Sequence, residues 1–186
     1  MKLTCTTILL PPERDELTHV GIRVTAEDLT FKFQKCDYID ATAMCTVNWG
    51  DGTVETPYDI TKVTHTYAQP GEYEITLTDA LSSLSVSGTS ATRQKEGLKI
   101  ISFKANAPHL TELGASAFYG CANITGGVEL PHVNTIAGTT TEPFAGCPQA
   151  FEIHFSKDNE AAIRASTPFT KDPQLGAPNA VISFDP

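Results

Sequence analysis

Apolar and polar residues alternate with period two in several short runs over the first half of the chain. Leu29-Thr30-Phe31-Lys32-Phe33, Thr46-Val47-Asn48-Trp49, Val63-Thr64-His65-Thr66-Tyr67 and Glu72 to Thr78 each read as a strand with one face turned to a core. Leu84-Ser85-Val86 adds a further strand, and Thr4 to Leu10 and His19 to Val24 are two more at the start. Turn chemistry separates the runs. Gly50-Asp51-Gly52-Thr53 supplies the positive φ angles of a tight hairpin, and Gln69-Pro70-Gly71 marks another reversal. Many short strands with turns between them predict a β-sandwich over residues 1–88.

From residue 98 onward the pattern is a long-period repeat. Phe118-Tyr119-Gly120-Cys121 recurs as Phe144-Ala145-Gly146-Cys147, 26 positions later. Apolar-polar-apolar triplets keep step with it: Ile101-Ser102-Phe103, Val128-Glu129-Leu130, Ile153-His154-Phe155 and Ile182-Ser183-Phe184, whose first residues lie 27, 25 and 29 positions apart. A period in the twenties predicts a solenoid, in which each coil buries its apolar residues against its neighbours. Each coil is expected to run from a strand through a bend and an apolar pair (Leu110 with Leu113, Val133 with Ile136) to an inward Phe118 or Phe144 and a Gly-Cys corner. In the third coil Ile163 and Phe169 take the inward places and Lys171-Asp172-Pro173 the corner, so that Gly-Cys is lost as in a capping repeat. The triplets then stack with Ser102, Glu129, His154 and Ser183 in one exposed polar stripe. The polar, aperiodic residues between the two patterns, assigned to 89–97, read as a linker.

Val47-Asn48-Trp49-Gly50-Asp51-Gly52-Thr53, then His65-Thr66-Tyr67, then Pro70-Gly71-Glu72-Tyr73 closely resemble the polycystic-kidney-disease (PKD) domain over about residues 29–80. That resemblance implies an immunoglobulin-like sandwich used as a spacer, display or ligand-contacting module in surface proteins. Leu113-Gly114-Ala115-Ser116-Ala117-Phe118-Tyr119-Gly120-Cys121, and the looser copy from Ile136 to Cys147, resemble the leucine-rich repeats of BspA-type bacterial surface antigens over residues 98–186. This second resemblance implies an extracellular interaction surface with no shared family ligand. The fold expected is therefore mainly β, an Ig-like sandwich followed by a short leucine-rich solenoid.

Composition narrows the function. The net charge is −9 with 13 Lys+Arg against 22 Asp+Glu and no basic run, which argues against a nucleic-acid partner. No apolar run approaches the ~20 residues that cross a bilayer, so no membrane insertion is expected. The stretch Met1 to Leu10 lacks the long apolar centre and cleavage site of a secretory signal. Five cysteines, Cys5, Cys36, Cys45, Cys121 and Cys147, with no CxxC pair, argue against a zinc site or a disulfide framework. Cys121 and Cys147 hold equivalent places in successive coils and are expected as a thiol ladder, within reach of a disulfide.

No catalytic constellation is visible, and no metal or cofactor site. Trp49, the sole tryptophan, is expected to fill the sandwich, and His65 to serve as a hydrogen-bond partner in its strand. Asp51 is expected to bond its own turn, since Asp51 with Asp59 or Asp79 falls short of the six or more oxygens that calcium takes. Gly50, Gly52, Phe118, Gly120, Cys121, Phe144, Gly146 and Cys147 are read as structural. The stripe Ser102, Glu129, His154 and Ser183 is the candidate binding face, for a protein or glycan partner. Three classes follow: a non-catalytic surface recognition or adhesion protein, a phage virion or tail structural protein built from the same modules, and an enzyme. The first is preferred. The expected location is the cell surface, the extracellular space or a virion.

Overall fold

The computed structural model describes residues 15–138, 142–147 and 149–186. The strand expected over Thr4 to Leu10, Cys5 and Pro148 lie outside the described residues. In the first half the strands are β1 (Thr18–Val24), β2 (Thr30–Phe31), β3 (Lys35–Tyr38), β4 (Val47–Asn48), β5 (Val54–Glu55), β6 (His65–Thr66), β7 (Gly71–Leu77) and β8 (Leu81–Ser85). Helix α1 (Ala91–Gly97) leads to β9 (Ile100–Ala105), β10 (Glu112–Leu113), β11 (Val128–Leu130), β12 (Thr135–Ile136) and β13 (Glu152–Ser156). Helices α2 (Glu160–Ala165) and α3 (Thr167–Lys171) then precede β14 (Val181–Asp185). Among the described residues no helix is long and apolar enough to cross a membrane.

Both main sheets run through both halves of the chain. The larger has eight strands in the order β14-β13-β11-β9-β1-β7-β4-β5, and the second four in the order β12-β10-β8-β3; β2 and β6 form a small ribbon. Strand β1 pairs antiparallel with β7 on one side and with β9 on the other. Beyond β9 the pairing turns parallel, through β11 and β13 to β14. Strand β8 plays the same double part in the second sheet, antiparallel to β3 and parallel to β10. The first pass of the parallel stack is thus laid directly on two strands of the sandwich. Buried apolar residues form one cluster from Val20 to Ala180.

Side-chain alternation explains the core. In β7 the last residues alternate buried Ile75 and Leu77 with half-exposed Thr76, and β11 buries Val128 and Leu130 around exposed Glu129. Trp49 is wholly buried, stacked on His65 at 4.7 Å with an interplanar angle of 5°. The Gly50 to Gly52 turn has φ of +82° and +95° at its two glycines, and Asp51 Oδ1 accepts the Thr53 N–H at 3.0 Å. In the second half Phe118 and Phe144 stack at 4.9 Å, and Phe103 meets Phe118 edge-on at 5.0 Å.

Three expectations from sequence are revised. The 89–97 segment is not an open linker: Ser90 caps α1, and Glu96 Oε2 accepts the Lys32 N–H at 3.3 Å. The buried Lys99 just beyond the helix holds Glu96, Asp28 and the Thr30 carbonyl at 3.0, 2.9 and 2.5 Å. Secondly, β9 enters the stack two residues later than its pattern suggested. Val128 is in register with Phe103 and Glu129 with Lys104, so the first triplet is Phe103-Lys104-Ala105. Thirdly, the last corner is not Lys171-Asp172-Pro173. Gly120, Gly146 and Gly176 share positive φ, of +67°, +76° and +86°. Each is followed by a small buried residue, Cys121, Cys147 or Ala177, whose N–H closes on the carbonyl three residues back. The final copy keeps its glycine and loses the cysteine, and Gln174 stands two positions before that glycine where Phe118 and Phe144 precede theirs. Phe169 lies in α3, part of the helical insertion that delays the corner.

Candidate functional site

The solvent face of the large sheet carries one row of matched positions. Ser183 pairs with His154, His154 with Glu129 and Glu129 with Lys104. Lys104 pairs with His19, His19 with Thr76, Thr76 with Asn48 and Asn48 with Val54. Eight strands at about 4.8 Å spacing make this row about 34 Å long. Glu129, His154 and Ser183 are brought together. Ser102 is not in line with them; it lies two residues along β9, opposite Gly21, and Lys104 takes the place expected for it. The row also continues across the sandwich through His19, Thr76 and Asn48, which the stripe had not included.

Ion pairs organise the row. Lys104 Nζ lies 3.1 Å from Glu129 Oε2, and Arg23 binds Glu72 at 2.6 Å at one border. His154 is held on both ring nitrogens: Nδ1 contacts Asp185 Oδ2 at 2.6 Å and Ser183 Oγ at 2.8 Å, and Nε2 contacts Glu152 Oε2 at 3.0 Å. His19 has the same arrangement, with Asp15 Oδ2 2.9 Å from Nε2 and Glu74 Oε1 3.2 Å from Nδ1. Burial alone would lower both imidazole pKa values, but the hydrogen bonds that His154 donates to Asp185 and Glu152, and His19 to Asp15 and Glu74, outweigh it and raise them. The Asp15 carboxyl is lowered in turn, chiefly by its bond to His19. Glu129 is thus engaged by Lys104, and His154 by Asp185, Ser183 and Glu152.

Three open depressions lie on this face, and Glu129 borders all of them. One of about 380 Å³ includes His154, Asn106 and Asp185; another of about 490 Å³ includes His154, Glu152 and Gly127. The third, of about 330 Å³, includes His19, Lys104 and Ser102. Glycines keep the floor low. A Cβ on Gly126 would lie 2.7 Å from the Ser102 Cβ, and one on Gly21 would lie 2.2 Å from Ser102 Oγ.

Of the other singled-out residues, Trp49, Phe118, Cys121, Phe144 and Cys147 are buried, whereas the Gly50-Asp51-Gly52 turn and Gly146 are exposed. Asp51 Oδ2 contacts His65 Nε2 at 2.8 Å, Trp49 Nε1 donates to Glu55 Oε2 at 3.2 Å, and Tyr67 Oη donates to the Trp49 carbonyl at 3.0 Å. Cys121 and Cys147 are buried free thiols, and Cys147 Sγ lies 3.1 Å from the Phe118 carbonyl. Burial pushes both thiol pKa values up, that of Cys147 to about 11, so neither is a ready nucleophile.

A family model described as the PKD domain matches residues 12–95, from just before β1 through most of α1. That stretch is similar to an Ig-like PKD domain, and PKD domains are generally non-catalytic adhesion or spacer modules. Comparison with curated proteins and with solved structures gives no match.

Proposed function

We propose that this protein is a non-catalytic recognition or adhesion protein of a cell surface. In this reading the PKD-like sandwich is the spacer or display module, and the second half, a BspA-type leucine-rich solenoid, supplies most of the binding face. The observation that carries it is the unbroken polar row from Asn48 to Ser183 across the large sheet. A sheet face whose half-open depressions share Glu129 suits an extended protein or glycan ligand better than a small enclosed substrate. The parallel stacking of β9, β11, β13 and β14, with Gly120, Gly146 and Gly176 at equivalent corners, supports the solenoid reading.

The test joins Glu129→Arg with His154→Glu, which reverses charge at the shared border of the depressions. The ion pairs lost are of the kind that contributes under about 1 kcal/mol each, so the melting temperature should fall by only a few degrees and the variant should remain folded. Retention on host-surface extracts and on a glycan array should fall by roughly tenfold or more, about 1.4 kcal/mol. Retention unchanged by the pair, in a variant that remains folded, would refute this face as the binding surface.

A further inference from the structure

The two main sheets expose four edge strands among the described residues, and three of them are blunted. Strands β5 and β12 are two residues long. Strand β3 opens with Lys35 and shifts register between Asp37 and Tyr38. Short length, lysine and irregularity are the usual means of stopping edge-to-edge pairing. Strand β14 has none of them. It is five residues long, Val181-Ile182-Ser183-Phe184-Asp185, with unbroken register against β13 and, among the described residues, no strand on its other side.

We propose that β14 pairs antiparallel with β14 of a second copy of this chain, joining two large sheets into one. The Val181 N–H donates to the Phe151 carbonyl at 3.0 Å. In a parallel ladder that commits Val181, Ser183 and Asp185 to β13, and turns the N–H and C=O groups of Ile182 and Phe184 outward. A two-fold axis at Ser183 then sets Ile182 opposite Phe184 of the partner subunit and, by symmetry, Phe184 opposite the partner's Ile182. Each of these pairs exchanges two hydrogen bonds. Ser183 faces itself, and Val181 faces the partner's Asp185, so no like charges meet.

The side chains agree with this register. Ile182 and Phe184 are only half-buried in one copy and pack against the core, with Phe184 stacked on Phe155 at 5.7 Å. Pairing sets each beside its counterpart and continues the apolar layer across the axis. Arg164 already covers the Phe184 ring at 4.7 Å from its centroid, so the outward main chain is the chief unfilled feature at this end. Val181, 63% exposed, gains a neighbour on the polar face.

Sedimentation equilibrium of the full chain, up to its solubility, tests the proposal with two substitutions at one exposed position. Wild type should show a reversible monomer–dimer equilibrium. Val181→Glu sets like charges opposite each other twice per dimer and should weaken it by about tenfold. Val181→Lys sets opposite charges there and should leave the dimer equal or tighter. Melting curves should match in all three proteins, since the position is exposed. A wild type monomeric at every concentration, or Glu and Lys variants that associate alike, overturns the proposal.

Discussion

Lys99 joins the two halves of this protein through a buried ion cluster, and its removal should be felt in both. Its side chain is 8% exposed and touches Asp28 at 2.9 Å, Glu96 at 3.0 Å and the Thr30 carbonyl at 2.5 Å. Lys99→Met keeps the stem and deletes the ammonium. Two carboxylates with side chains 18% and 12% exposed are then left without their common cation. Breaking a buried pair in this way costs about 3–5 kcal/mol. Lys95 remains 3.0 Å from Asp28 on the exposed side, which places the expected loss at the low end, about 3 kcal/mol. For a chain of this size that is a fall of about 6–12 °C in Tm, in one cooperative transition. Replacing Asp28 by Asn and Glu96 by Gln in the same protein removes the orphaned charge and should recover part of the loss. Urea and thermal unfolding of single and triple variants measure this directly. If Lys99→Met melts like wild type, or if the triple variant is worse than the single, the ion cluster does not hold the joint.

Two further outcomes follow from the same geometry. Gly52 and Gly176 both have strongly positive φ, but a Cβ on Gly52 meets nothing within 4 Å whereas one on Gly176 lies 2.7 Å from the Ala145 backbone. Gly52→Ala should therefore cost only the left-handed backbone, about 1–2 kcal/mol, and Gly176→Ala should cost about 3 kcal/mol or more in urea unfolding; equal losses would show that the third corner does not press on the second. The raised His154 pKa means that the clamp on Glu152 and Asp185 contributes fully below the unfolded value of about 6.5, and that this is lost as pH rises through the folded value. Melting between about pH 5 and 8 should lose that component in His154→Gln, and an NMR titration placing His154 at or below the unfolded value would refute the clamp.

The parts of this structure legible in the sequence are those governed by local rules. The Gly-Asp-Gly turn, the alternation around Ile75 and Leu77 and the first two Gly-Cys corners each require only their own neighbours. The β9 register was not legible. Ile101-Ser102-Phe103 and Phe103-Lys104-Ala105 carry the same pattern, and a shift of two leaves every side chain on its own face. Only the pairing of Gly21 with Ser102 and His19 with Lys104 resolves it, and those partners lie over eighty positions away. His19 was missed as a member of the polar row for the same reason. The third corner was obscured by a decoy, since Pro168-Phe169 copies Pro143-Phe144 but falls in a helix; Gly176 was the better signal. Helix α1 escaped because its anchorage is ionic, through Glu96 and Lys99, and leaves no apolar period.

The double pairing of β1 and β8 has a dynamic consequence. A stack of short repeats held only by its neighbours frays from both ends, each terminal unit opening at a fraction of the global free energy. Here one end cannot fray, because β9 and β10 are knitted into sheets whose other strands belong to the sandwich. Opening is therefore one-sided. In the monomer it begins at β14 and moves inward through β13 and β11, so that amide protons become steadily longer-lived toward β9 and β1. Damage to the last pass is absorbed locally, while the same damage beside the seam is transmitted to the whole chain.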